Sequence, residues 1–340
     1  MAASEKTTSF DIAALAGVSQ PTVSRALRGD KTVSAATRLR IEAIARQLNY
    51  KVDRAASSLR RGQTNTLALL FFEDPLADGS NINPFFLSML GSILTTAARL
   101  GYDLLTSFQQ LSEDWHVDFE DTRKADGLLL LGYGNYDAYR PRLEQLVRQK
   151  THFVRWGAVE PGVLGTVIGC DNRLGGRLAG EHLIARGCRR IAFLGDASDA
   201  YPEFRDRYRG LADALRAAGL PVDPGLHVDA LSIQADGYDA AQRLLARGIA
   251  FDGVFAASDL IALGAMRALE EAGRHVPGDV RLVGFDDIPS ASLTLPPLTT
   301  VAQDYARAGA ALVDTLIRQI GDQPTENAVL PPRLVVRASS

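Results

Sequence analysis

From Thr66 onward, apolar runs of strand length alternate with longer amphipathic stretches, and this alternation constrains the fold more than any other feature of the chain. The runs are Leu67–Phe72, Leu104–Phe108, Leu128–Leu131, Phe153–Trp156, Ile191–Leu194, Val254–Ala257 and Leu282–Phe285. Between them lie Phe86–Leu100, Leu143–Gln149, Leu174–Ala185, Tyr208–Ala218, Ala240–Ala246 and Ile261–Ala272, with apolar residues at helical spacing. Strands that are apolar throughout must be covered on both faces, which predicts parallel sheets flanked by helices. There is material for two such sheets, with a break expected near Thr151–Gly169.

The first 62 residues follow a different pattern. They carry eleven Lys/Arg against five acids, whereas the whole chain has a formal charge of −3. A basic head on an acidic body points to a polyanion partner for the head. Thr8-Ser9-Phe10-Asp11 has the form of a capping box, and Ile12, Leu15 and Ala16 supply an apolar face behind it. Gly17 supplies a residue able to take the left-handed turn that follows. Ser19 caps a second helix from about Gln20 to Leu27, with Pro21 in its first turn and Val23 and Leu27 as its buried face. Ser34 opens a third helix, with Ile41, Ile44 and Leu48 inward. Two short helices joined by a tight turn, with a third closing the core, make a helix-turn-helix. Gln20, Pro21, Thr22, Ser24, Arg25 and Arg28 are left facing outward. Arg donates two bonds to guanine and Gln does the same to adenine, while the hydroxyls suit phosphate oxygens.

Phe10-Asp11-Ile12-Ala13 through Ala16-Gly17-Val18-Ser19, then Thr22-Val23-Ser24-Arg25, Val33-Ser34 and Leu48-Asn49-Tyr50, resemble the head of the LacI/GalR family in residues and spacing. The resemblance implies that Gln20, Pro21 and Arg25 occupy base-reading positions. It also implies that Asp53–Arg61 is a hinge helix: Asp53 caps it, Ala55 and Ala56 let two copies approach, and Leu59 is an apolar wedge for a minor-groove step. Arg60 and Arg61 then lie near phosphates. The expected DNA-binding set is Thr8, Ser19, Gln20, Pro21, Thr22, Ser24, Arg25, Arg28, Ser34, Arg54, Ala56, Leu59 and Arg60.

The body resembles the periplasmic-binding-protein-like core of the same family through Asn83-Pro84-Phe85-Phe86, Gly101-Tyr102, Asp171-Asn172, Gly175-Gly176 and Pro297-Leu298-Thr299-Thr300-Val301. The implied architecture is an all-α helix-turn-helix head (1–52), a hinge (53–63) and an α/β body (64–340). The body divides into two doubly wound parallel-sheet subdomains of type I, about 64–163 with 305–321, and 164–297 with 326–340. Open parallel sheets bind ligands beyond the carboxyl ends of their strands. The family's effector positions there fall on Phe85, Phe86, Arg155, Trp156, Arg207, Ser258, Asp259 and Asp286. Two depart from common relatives, which carry Asp in several cases at Arg155 and Asn in some at Ser258. The polar stretch Glu73–Asn83 is a candidate lid. Arg155 and Arg207 are expected to face one cleft. That leaves two effector classes open: an anion between the two cations, or a neutral sugar clamped by an Arg–Asp pair.

Other function classes lack their residues. Gly132-Tyr133-Gly134 has no third glycine for a dinucleotide, no nucleophile elbow or phosphate-binding loop is present, and Asp286-Asp287 are merely adjacent. No catalytic set, cofactor or metal is therefore expected; Cys170 and Cys188 are too few for a four-ligand site and suit a reducing compartment. Met1–Phe10 lacks the apolar core of a secretory signal and no run approaches a membrane span, so the expected location is the cytoplasm. The chain stops at Ser340 without added leucine heptads, so a homodimer formed through the body is expected on near-palindromic DNA. The expected function is a DNA-binding transcriptional regulator, a repressor of carbohydrate-utilisation genes controlled by a sugar or sugar derivative. The alternatives are a LacI-like activator and a sugar-binding protein without a regulatory role.

Overall fold

The structure, a computed structural model, describes residues 7–27, 29–50, 63–72, 82–109 and 113–340. The chain divides into two compact units, one ending at Thr64 and the other spanning Asn65–Ser340.

The first unit holds α1 (Ser9–Ala16), α2 (Gln20–Leu27) and α3 (Ala35–Gln47). The capping box forms: the Thr8 side chain accepts from the Asp11 N–H, and the Asp11 carboxylate accepts from the Thr8 N–H at 2.8 Å. Gly17 takes φ 62°, a left-handed geometry that a side chain would resist, and so turns the chain into α2. Ser34 caps α3 by accepting from the Thr37 N–H at 3.2 Å. The core is Ile12, Ala13, Ala16, Val23, Ala26, Val33, Ile41 and Ala45. Two expectations change here. Leu15 is 64% exposed, because the stripe through Ile12, Ala13 and Ala16 packs inward instead. Ala26 replaces Leu27 as the buried partner of Val23, letting α2 approach its neighbours closely, while Leu27, Ile44 and Leu48 are half-buried around that core.

The second unit holds two six-stranded sheets. The first has the order β11-β5-β4-β3-β1-β2 and the second β12-β10-β9-β8-β6-β7. In the first, β1 is Thr66–Phe71, β2 Asp103–Phe108, β3 Leu128–Leu131, β4 Phe153–Trp156, β5 Thr166–Cys170 and β11 Ala328–Leu330. In the second, β6 is Ile191–Leu194, β7 His227–Val228, β8 Gly253–Ala256, β9 Arg281–Asp286, β10 Thr299–Ala302 and β12 Arg333–Val335. All pairings are parallel except β10 with β12. The helices are α4 (Pro84–Arg99), α5 (Tyr136–Gln149), α6 (Asn172–Ala185), α7 (Pro202–Ala217), α8 (Gln234–Ala246), α9 (Asp259–Glu271) and α10 (Tyr305–Ile320). All six expected helices begin before the apolar periodicity indicates, α4, α6 and α9 by two residues and α5, α7 and α8 by six or seven; Asn83, Asn135 and Asp171 cap α4, α5 and α6.

The chain passes between the sheets three times: from β5 to α6, from β10 to α10, and from β11 to β12. Helix α10 returns to pack on α4 and the first sheet. The expected subdomain borders need correction at two places. Thr166–Cys170 pairs with β4 in the first sheet, so the crossing falls at Asp171 rather than near residue 163. Ala328–Leu330 also joins the first sheet, leaving only the strand from Arg333 for the second. Both strands are short, and neither shows enough apolar length to be read as a strand by itself.

The period-2 alternation of the first sheet fixes which side chains reach which layer. Leu129, Leu131, Val154 and Trp156 join the large cluster beneath α4 and α10. Leu128, Leu130 and Phe153 face the other way, toward Leu143 and Leu146 of α5. Arg155, between Val154 and Trp156, therefore points to the α5 side.

Candidate functional site

In the head, α2 presents the expected outward face. Pro21 and Arg25, one turn apart, are exposed, and Thr22 and Ser24 are half-exposed beside them. The Ser19 and Thr22 hydroxyls bond each other at 2.9 Å at the start of the helix. Gln20 is less free than expected, because its amide donates to Ser9 Oγ at 3.1 Å. Thr8 and Ser34 are exposed at the N-termini of α1 and α3, where a phosphate oxygen would meet unpaired N–H groups and the positive end of the dipole. Arg28, Arg54, Ala56, Leu59, Arg60 and Arg61 lie outside the described residues, as does most of the proposed lid (73–81).

In the body, the carboxyl ends of both sheets meet around one buried cation. Arg207, in the second turn of α7, is fully buried. Its Nε donates to Asn172 Oδ1 at 2.9 Å, its Nη1 to the Ala257 carbonyl, and its Nη2 to the Tyr133 hydroxyl at 2.8 Å. The guanidinium centre lies 3.7 Å from the Phe285 ring centroid and about 5 Å from those of Tyr133 and Phe204, within cation–π range. Asp286, at the end of β9, has its Oδ1 3.8 Å from Arg207 Nη1. The same oxygen accepts from Tyr133 at 3.0 Å and from Gln303 Nε2 at 2.7 Å. Burial pushes the Asp286 carboxyl up to about 6, although Arg207 pulls it down. Asp286 also holds φ 113°, a conformation that costs a non-glycine residue on the order of 1–3 kcal/mol and is typical of ligand clamps.

Two oxygens in this cluster, Asp286 Oδ2 and Gln303 Oε1, are buried and have no hydrogen-bond partner among the described residues. Both are acceptors. Aromatic walls surround them: Phe85 and Phe86 are buried, Phe86 lies 4.9 Å from the Tyr133 ring and Phe85 5.9 Å from Trp156. Acceptors, a fixed cation and ring faces together suit a ligand rich in hydroxyl donors.

The remaining expected positions have other surroundings. Ser258 caps α9 through the Ile261 N–H and accepts from Ser232, whose hydroxyl accepts in turn from Asn83 Nδ2 at 3.1 Å. That chain bridges the two subdomains. Both Asp259 oxygens are occupied, by the Ile288 N–H at 2.9 Å and the Thr300 hydroxyl at 2.6 Å, so Asp259 braces the turn that follows Asp286. Arg155 is not beside Arg207. It points away from Trp156, and its guanidinium sits 5.4 Å over the Tyr136 ring. Tyr133, Asn172 and Gln303 were not expected, although each follows directly or nearly so on the end of a strand, β3, β5 and β10 in turn. Among the described residues, no group of three or more His, Cys, Asp or Glu is arranged to hold a metal ion.

Residues 10–53 match the family model of bacterial regulatory proteins, lacI family, and residues 181–340 match that of a periplasmic binding protein-like domain. The chain is 32% identical over 336 residues to the ribose operon repressor of Escherichia coli (strain K12), covering 97% of this chain and 98% of the relative. A solved complex of the transcriptional regulator CelR with cellobiose is 31% identical, with TM-score 0.71 over 98% of this chain and 100% of that one. The lac repressor dimer bound to operator and the anti-inducer ONPF is 27% identical, with TM-score 0.81 over 98% and 99%.

Proposed function

The chain belongs to the lacI family of bacterial regulatory proteins, and from that premise we propose that it is a cytoplasmic, non-enzymatic repressor of carbohydrate-utilisation genes whose operator affinity is set by a neutral sugar bound at Arg207 and Asp286. It binds operator DNA through the helix-turn-helix, with α2 in the major groove and Arg25 as a guanine reader. Relatives of similar length include repressors named for ribose, a regulator solved with cellobiose, and a dimer seated on its operator. By the same reasoning this chain acts as a homodimer on a near-palindromic site, since one head reads only a few base pairs. No helix among the described residues is long and apolar enough to cross a membrane, in keeping with this role.

The observation that carries the effector class is the pair of unpartnered buried acceptors, Asp286 Oδ2 and Gln303 Oε1. An unsatisfied buried acceptor costs about 1–3 kcal/mol, which a hydroxyl donor restores. An anion would instead bring like charge against Asp286. We assign Phe85, Phe86, Trp156, Tyr133, Arg207, Asp286 and Gln303 to the ligand site, with Ser258 and Asp259 as its supports.

The test has two arms. Deleting the gene should raise transcription from the promoter that the purified protein footprints; a fall would make it an activator, and the absence of any footprint would reject the regulator. A thermal-shift screen of neutral sugars and their acids should find a neutral sugar that raises the midpoint by mass action and whose effect is lost in Asp286→Asn.

A further inference from the structure

Arg155 stands apart from that ligand site and is unusual in its own right. It is 2% exposed, yet among the described residues it has no ion pair and one hydrogen bond, a long one of 3.5 Å from Nε to the Leu164 carbonyl. A guanidinium carries five N–H donors, and the buried Glu203 carboxylate beside it at Gly157 stops short of ion-pair distance, so most of those donors are unmatched. The side chain opens onto a cavity of about 230 Å³, far larger than the roughly 30 Å³ share of one water. The walls come from both subdomains: Tyr136, Arg140, Glu160 and Leu164 from the first, Asp199 and Pro202 from the second. Neither Tyr133, Arg207, Asp286 nor Gln303 lines it.

The acids near this cavity are committed elsewhere. Glu160 and Asp199 each give an oxygen to Arg205. One oxygen of Glu203, Oε1, accepts from the Ala158 N–H at 2.8 Å. Tyr136 and Pro202 are the first residues of α5 and α7, so the positive ends of two helix dipoles abut the space, and α7 has no side-chain cap.

We propose that this cavity is a second binding site, for a small hydroxylated molecule bearing a carboxylate or phosphate whose anionic group pairs with Arg155. Hydroxyls of the same molecule donate to the outer oxygens of Glu160 and Asp199. Because those two acids belong to different subdomains, the ligand ties the subdomains together and adds a second input to the equilibrium that the sugar controls. The proposal holds whatever the Arg207 site binds.

The test uses the full-length protein with D-gluconate and inorganic phosphate at ionic strength fixed by sodium chloride, and D-glucitol as the neutral counterpart. Calorimetry should show binding of one or both anions and not of glucitol. Gluconate alone identifies a carboxylate as the recognised group, and phosphate alone a phosphoryl group. Arg155→Gln should weaken that binding about tenfold to hundredfold, the worth of a charge-assisted pair, whereas Arg155→Lys should retain part of it. Asp286→Asn, a lesion in the other site, should keep the anion bound, changing its affinity far less than Arg155→Gln does. In the wild-type protein the bound anion should also shield Arg155 from phenylglyoxal, read by peptide mass, which decides the matter even should Arg155→Gln not fold. Any of four results overturns the proposal: no binding beyond chloride, equal binding by Arg155→Gln, loss of binding in Asp286→Asn, or an unshielded Arg155.

Discussion

The hydroxyl of Tyr133, on the first subdomain, donates a 3.0 Å hydrogen bond to Asp286 Oδ1 on the second. It also accepts from Arg207 and Gln303, at 2.8 and 2.7 Å. One phenol thus stitches the two halves of the cleft together. Tyr133→Phe keeps the ring against Phe86 and removes only the oxygen, leaving Arg207 Nη2 without its acceptor. The expected cost is about 1–3 kcal/mol of stability, read as a lower thermal midpoint. Exchange at the Tyr136 N–H, which bonds the Ala200 carbonyl across the same gap at 2.9 Å, should quicken as the cleft loosens. An unchanged midpoint and unchanged exchange would show the hydroxyl to be idle.

Most of this architecture is legible in the sequence, because long apolar runs and cap residues carry their structure locally. What is not legible has common causes. Strand β5, Thr166–Cys170, has its apolar run broken by a threonine and a glycine, and β11 is only three residues long, so neither registers as an apolar run. Adjacency also misled at β4. Arg155 and Trp156 follow each other in sequence, but successive side chains on a strand face opposite layers, so only one could join Phe85. The rule that ligands gather beyond strand ends finds Tyr133, Asn172 and Gln303 once the ends of β3, β5 and β10 are known. Without β5 and β10 two of those positions could not be read. The occupation of both Asp259 oxygens by Ile288 and Thr300 depends on contacts 29 and 41 residues away, which no local pattern encodes.

The buried carboxyl of Asp286 makes stability depend on pH in a stated direction. Its folded value of about 6 lies above the ordinary 3.8 because burial outweighs Arg207. The folded protein therefore holds this proton to higher pH than the unfolded chain does. The favourable contribution is complete below about 3.8 and is lost as pH rises through about 6. Relative to Asp286→Asn, which does not titrate, the wild type should lose on the order of 2–3 kcal/mol between pH 4 and pH 7. Denaturant melts of both proteins across that range test it. Parallel curves would mean that Asp286 stays ionised throughout.

Arg25 is exposed on α2, one turn beyond Pro21. If it reads guanine as proposed, it contributes discrimination as well as attraction. Arg25→Ala should relax preference at one operator position by about 1–3 kcal/mol and leave binding to random duplex nearly intact. Titrations against the operator, its single-base variants and random duplex at one salt concentration decide it. An equal loss on all of them would make Arg25 a phosphate contact.

The packing of α6 on α7 couples the proposed ligand site to the rest of the second subdomain, and two glycines allow it. A Cβ on Gly176 would fall well inside contact distance of the Arg207 carbonyl oxygen, and one on Gly210 would meet the Arg173 carbonyl in the same way. Each obstacle is backbone, so no rotamer change can relieve it. Gly176→Ala must therefore push α7 away from α6 and carry the Arg207 side chain with it, out of register with Asn172, Tyr133 and Asp286. Overpacking of this kind costs about 1–3 kcal/mol, offset slightly by the better helix propensity of alanine. The variant should fold with a lowered midpoint and bind its sugar more weakly, while the head, a separate unit, keeps its affinity for operator. Midpoint, sugar affinity and operator affinity measured on one preparation separate these effects. Full sugar affinity despite a lowered midpoint would show that Arg207 keeps its place when α7 moves.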